Sequence, residues 1–257
     1  LWSPKQSRDW KDFQRRLPLQ FKRYDLWGAN YSKAYYDINS SVSATPGNKG
    51  ITLKLEGRDP KDQLVYVINN NPEPIKYTSP IVINENSNVQ ALYYRNGKVM
   101  DSLNFKFNVN KATGKEITLK PEASTYYSGS GSFTLVDGII NEKGGRTSES
   151  LGFQTDAEAT IDLGAAQEIS RVTVHALQSG GTYVYPPKAV EVFGSTDGIT
   201  FEPLGSGAPV LDANGIKAIA SAAFKPKSVR YVRVMVRNQN EVPAGQRGEG
   251  EKTWMFL

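Results

Sequence analysis

Two groups of residues in this chain have the chemistry to hold a ligand. The first is a pair of tyrosines in Gly180-Gly181-Thr182-Tyr183-Val184-Tyr185-Pro186-Pro187, which sets two rings on a proline-stiffened loop. A sugar offers an apolar CH face and a rim of hydroxyls, so a sugar site joins an aromatic ring to a few fixed polar groups. His175, Arg146 and Arg237-Asn238 fall at strand or loop ends that could supply those groups to the same rim as Tyr183 and Tyr185. The plainer alternatives are that both tyrosines pack on Pro186 and Pro187, that Arg237 makes a surface ion pair, and that His175 is a satisfied strand-end residue. The second group is Asp137, in the turn Leu135-Val136-Asp137-Gly138, with Asn141 and Thr147 in the loop beyond. Calcium prefers several oxygen ligands, many of them carbonyls. Asp137, Thr147 and Asn141 are therefore candidate metal ligands, the alternative being that Asp137 only caps its turn.

Other chemistries lack their parts. The absence of cysteine rules out disulfides and thiolate metal sites. The single histidine, His175, has no serine or cysteine in a recognisable nucleophile elbow, and one imidazole cannot build a histidine metal cluster. No catalytic residue is assigned. The net charge of +5 is spread thinly. Residues 1–40 hold eight basic and four acidic side chains, residues 41–112 nine and six, and residues 113–257 fourteen and sixteen. A nucleic-acid footprint would gather the basic charge on one face, so no nucleic-acid partner is expected. No apolar run approaches the length of a membrane span.

These residues need elements to position them. Trp10, Phe13, Leu17, Phe21 and Tyr24 recur every three or four residues, which predicts a helical segment within residues 1–40. Ser7 is the expected N-cap with Asp9 in the first turn, Pro18 should kink or split the helix near Arg16-Leu17, and Gly28 suits its C-terminal cap. Strand-like runs follow at 51–55, 63–68, 81–83, 89–94 and 103–109, with Asn96-Gly97 a two-residue hairpin signal. Such spacing suggests a small immunoglobulin-like or fibronectin-like β-sandwich at 41–112. Further strands are expected at 159–164, 171–177, 189–195 and 229–236, where Val172, Val174 and Ala176 share one face, as do Val232, Val234 and Val236.

The order Val136-Asp137-Gly138, Thr160-Ile161-Asp162-Leu163-Gly164, Ser195-Thr196-Asp197-Gly198 resembles the discoidin-like (coagulation factor 5/8 type C) β-sandwich over about residues 115–257. That resemblance implies a galactose-binding-like jelly roll, carbohydrate binding through an exposed ring with His, Arg and Asn from the loops, and a structural calcium near Asp137. Its remaining carboxylate normally lies close to the domain's C-terminus, and this sequence ends at Trp254-Met255-Phe256-Leu257, just before that position. Leu1-Trp2-Ser3-Pro4, Arg8-Asp9-Trp10, Phe13, Arg16-Leu17 and Gly28-Ala29-Asn30-Tyr31 resemble the end of the catalytic barrel of family-20 glycoside hydrolases, the β-N-acetylhexosaminidases. Residues Tyr66 through Pro72, with Tyr77, Pro80-Ile81, Val89-Gln90-Ala91 and Asn96-Gly97-Lys98, are similar to the chitobiase/hexosaminidase C-terminal module, with Asn69-Asn70-Asn71 where that module usually has Asp-Gly-Ser. Family-20 enzymes resemble one another in an Asp-Glu pair, and this sequence has no Asp-Glu dipeptide.

The expectation is a mainly β chain in three parts: an N-terminal helix remnant of a truncated (β/α)8 catalytic barrel at 1–40, a β-sandwich spacer at 41–112, and a discoidin-like domain at 113–257. It would be the inactive accessory part of a periplasmic or extracellular β-N-acetylhexosaminidase, its partners being glycans and the upstream barrel. The alternative is a pair of purely structural or protein-interaction modules bracing that barrel.

Overall fold

The computed structural model describes residues 4–47, 50–58, 63–141 and 147–257. Among these residues it is mainly β, as the sequence predicts, with one α-helix and two β-sandwiches. The helix, α1 (Trp10–Leu26), is shorter than the 1–40 segment. Asp9, not Ser7, is its N-cap: its carboxylate accepts from Lys11 N at 2.8 Å and Asp12 N at 3.1 Å. Ser7 belongs instead to a preceding 3-10 turn. The helix also runs unbroken through Pro18. Leu17, Phe21 and Tyr24 anchor its second half on the first sandwich, so the loss of one backbone donor does not end it. At its C-terminus Gly28 takes φ +64°, and Ala29 N donates to Tyr24 O while Gly28 N donates to Asp25 O. This is the paired cap that a left-handed glycine permits. Trp10 and Phe13 stack on each other at 5.3 Å but remain exposed, so only half of the predicted aromatic face is covered.

In the first sandwich, one sheet has the order β1 (Asn39–Ala44), β2 (Ile51–Glu56), β5 (Ile81–Ile83). The other has the order β4 (Ile75–Lys76), β3 (Gln63–Ile68), β6 (Ser87–Arg95), β7 (Lys98–Phe107). Ile51, Leu53, Ile83, Val89, Tyr93 and Phe107 are fully buried between them. Each contributes on the order of 1.5–3 kcal/mol of transfer free energy. Asn96 and Gly97 both have positive φ, the hairpin turn their sequence predicts, and Asn69 and Asn70 adopt the same left-handed region.

In the second sandwich, the main sheet has the order β12 (Glu202–Gly207), β11 (Ala189–Ser195), β14 (Lys217–Arg237), β10 (Ala157–Leu177), β8 (Glu116–Lys120), with β13 (Pro209–Leu211) beside β14. A short ladder joins β9 (Gly152–Phe153) to β15 (Met255–Phe256). The two strands expected at 159–164 and 171–177 are one strand, β10. Its ladder with β14 is interrupted between Asp162 and Gln167 and again between Ile169 and Arg171. Gly164, at φ +84°, lies in the first interruption, so the glycine bends the strand rather than ending it. The long, bent pair β10–β14 supplies both walls of one core, from Ala157 and Val236 to Ala222 and Ile169. Val232, Val234 and Val236 are buried as predicted, whereas Val172 and Val174 are only partly covered.

The sandwiches touch through backbone. Asn108 N donates to Gly138 O at 2.7 Å, and Phe107 bridges to Ile139. Gly138 (φ +78°) has Thr113 and Ile51 beside the place a Cβ would occupy.

Candidate functional site

The loop after β10 is held at several points. Ser179 and Val184 exchange backbone hydrogen bonds, and Tyr183 N donates to Gly180 O. Trp254 N donates to Tyr183 O at 2.8 Å and Tyr185 N to Trp254 O at 2.9 Å, which ties the loop to the strand near the end of the sequence. Within this frame Tyr183 is left-handed (φ +61°, ψ +26°), a rare conformation for a residue with a side chain. Its ring lies against Gly248: a Cβ there would come within 2.5 Å of Tyr183 Cε1. The ring is half-buried. Tyr185 points inward instead, 4% exposed, and its hydroxyl donates to Gln246 Oε1 at 2.5 Å. The two tyrosines therefore differ: only Tyr183 keeps a substantial part of its ring open to solvent.

Arg237 and Asn238 stabilise the strand end. Arg237 reaches Glu191 Oε2 at 2.8 Å and Asp156 Oδ2 at 3.0 Å, and both carboxylates raise its pKa further. Asn238 is fully buried. Its backbone N donates to Asp156 Oδ1, its amide donates to Thr155 O, and its carbonyl accepts from Thr253 Oγ1 and Asn240 N. These geometries fit the ion-pair and scaffold alternatives, and they leave Asn238 no face toward a ligand. Arg146 lies outside the described residues.

His175 is on β10 opposite Ile219, exposed at one side, with burial of its ring and then the Lys217 ammonium holding its pKa below the ordinary value. It lines an apolar cleft of about 730 Å³ that Asn141 and Glu149 also line; Tyr183, Tyr185 and Arg237 do not. His175 thus shares a cleft with Asn141 and not with the two tyrosines.

Asn141 and Thr147 do come together. Asn141 Nδ2 donates to Thr147 Oγ1 at 3.1 Å and to Ser150 Oγ at 3.0 Å. Asp137, 8% exposed, caps its turn by accepting from Ile139 N at 2.7 Å. Burial pushes its carboxyl up to about 7, against the pull of the Ile139 N–H, and the nearby Glu149 charge adds to the rise. Among the described residues it has no ion pair. Asp137, Thr147 and Ser150 carry oxygens of the kind a hard cation takes, while Asn141 turns its NH2 toward the two hydroxyls. No group of three or more His, Asp or Glu that could hold a metal occurs among the described residues, so a cation here would depend on hydroxyls and carbonyls as well.

Trp254 and Tyr127 were not singled out from the sequence. They meet edge to face at 5.0 Å and pack with Phe256, Leu177 and Val184 under the Tyr183 loop. Their signal was present: a Tyr-Tyr pair at 126–127 and a Trp-x-Phe near the end of the sequence are large rings that a sandwich must cover or display. Tyr126 itself is 86% exposed.

Among solved structures, chitosan-binding module 1 of a chitosanase/glucanase from Paenibacillus sp. IK-5 is 15% identical, with 58% of this chain and 97% of that one covered and a TM-score of 0.37. The C-terminal domain of a chitobiase from Bacteroides fragilis is 19% identical over 58% and 95% of the two chains, TM-score 0.35. CpGH89CBM32-5 from Clostridium perfringens, in complex with GalNAc-β-1,3-galactose, is 16% identical over 56% and 94%, TM-score 0.36. A search of curated proteins returned no match. Residues 120–249 match the family model of the F5/8 type C domain, and the chain belongs to that family.

Proposed function

We propose that the second sandwich binds a neutral glycan on the rim formed by Tyr183, and that this chain is the targeting part of a periplasmic or extracellular β-N-acetylhexosaminidase. The observation that carries the binding claim is the Tyr183 ring. A left-handed backbone and the missing side chain of Gly248 hold it half-exposed, while its neighbour Tyr185 is locked inward. A ring held in one place loses little freedom when a sugar face stacks on it. Gln246 and Arg247, exposed on the adjoining segment, supply hydroxyl partners. Bound calcium at Asp137, with Thr147 and Asn141, would neutralise a buried carboxylate and steady the loop. Weak binding suffices for targeting, because tethering turns it into a high local substrate concentration at the linked barrel.

The bracing alternative has its own support: the backbone contacts at Gly138 and Ile139 join the sandwiches, and Trp10 and Phe13 stand uncovered. Calorimetric titration with galactosides and N-acetylhexosamines, with and without calcium, separates the two. Saturable heats support glycan binding; flat traces in both conditions leave only bracing. Among the described residues no helix is long and apolar enough to cross a membrane.

A further inference from the structure

A second crevice, of about 620 Å³, lies where the outer face of β3, β6 and β7 meets Ile139, Ile140 and Glu149 of the second sandwich. Its floor is a grid of amides. On β6, Asn88 and Gln90 are two residues apart and so point the same way. Gln90 stands directly opposite Asn104 on β7, and Asn70 adjoins from the turn after β3. Strand geometry spaces such neighbours roughly 5 Å across the ladder and 7 Å along it. All four side chains are exposed, and none makes a hydrogen bond among the described residues. Ile139 and Ile140, with Glu149 beside them, form the facing wall, and Lys106 lies at the β7 side.

We propose that this crevice is a second carbohydrate subsite, for one or two residues of a neutral oligosaccharide. An amide offers two donors and an acceptor in a plane, the pattern that matches vicinal hydroxyls. The grid spacing is that of one pyranose ring, and the isoleucine wall suits its CH face. The amides are uncharged, and the one lysine and one glutamate that also line the crevice offset each other, so the lining carries no net charge for an anionic ligand. The site exists only because the two sandwiches are fixed against each other at Gly138 and Ile139. It stands apart from the Tyr183 rim and does not depend on it.

The test is a 1H–15N titration of the 257-residue chain with chitotriose, cellotriose and a galactotriose, with sorbitol as a polyol control. The side-chain NH2 signals of Asn88, Gln90 and Asn104 should shift saturably with at least one trisaccharide and not with sorbitol. The double variant Q90A/N104A, altered only at exposed positions, should raise that Kd at least fivefold with the rest of the spectrum intact. Tyr183→Gly should leave those shifts unchanged, which separates failure of this site from failure of the rim. No side-chain shift with any trisaccharide up to millimolar concentration, equal shifts with sorbitol, or loss of the shifts in Tyr183→Gly would each overturn the proposal.

Discussion

Replacing Asp137 by Asn should change how stability depends on pH, and should do so in one direction. Burial lifts the Asp137 carboxyl from 3.8 to about 7 in the folded chain. The unfolded chain has an ordinary carboxyl, so between about pH 4 and pH 7 the folded state holds a proton that the unfolded state has lost. Stability that is present at pH 4 therefore falls as pH rises through this window, and then levels off. The interval is about three pH units, and each is worth about 1.4 kcal/mol, so the ionised carboxylate costs the fold about 4 kcal/mol above pH 7. Asparagine keeps the shape and cannot ionise. In chelator, urea unfolding at pH 4.5 should give similar free energies for the two proteins, and by pH 8 the variant should be more stable by a few kcal/mol. Calcium at a hundred times its dissociation constant should return about 2.7 kcal/mol to the wild type at pH 8 and much less to the variant. A wild-type-to-variant difference that stays constant from pH 4.5 to 8 would refute the reasoning.

Other substitutions address the rim. Tyr183→Gly removes the ring and relaxes the left-handed backbone. Glycan affinity should fall about tenfold or more by calorimetry, while unfolding free energy changes by no more than about 1 kcal/mol. Gly248→Ala drives a methyl into the Tyr183 ring and keeps an unfavourable positive φ, so it should weaken the same titration without touching the sugar itself. Asn238→Ala leaves Thr253 Oγ1 and Asn240 N without their acceptor, and chemical denaturation should show a loss of about 2 kcal/mol. Gly97→Ala strains the hairpin between β6 and β7 and should cost about 1 kcal/mol in the same assay.

The sequence signals that proved readable were local and chemically forced. Asn96-Gly97 specifies a turn because few residues tolerate two successive positive φ values. Ser195-Thr196-Asp197-Gly198 does the same: the Asp197 carboxylate accepts from Ile199 N and Thr200 N, and Gly198 takes φ +76° beside Tyr231. The first half of β14 was not readable. Its inward positions are Ala218, Ala220 and Ala222, too small to register as an apolar stripe, although all three are fully buried. The outward Ile219 even inverts the expected pattern, being exposed opposite His175. Gly164 shows why the strand at 159–164 runs on: a glycine after alternating residues looks the same in sequence whether it ends a strand or bends it. In the candidate site, residue type pointed to the tyrosine loop but could not separate Tyr183 from Tyr185. That distinction comes from Gln246, sixty-one residues away in sequence, which captures one hydroxyl. His175 shares its cleft with Asn141, which residue type could not show: a strand end has two flanks, and the chain order does not say which loop lies on each.

A crystal structure of the chain grown with calcium and soaked with an N-acetylhexosamine or galactoside tests the central claim most directly. The account predicts a sugar ring stacked on the exposed side of Tyr183, with hydroxyls within hydrogen-bond reach of Gln246 or Arg247. A sugar bound elsewhere on the second sandwich, with the Tyr183 face bare, would contradict it.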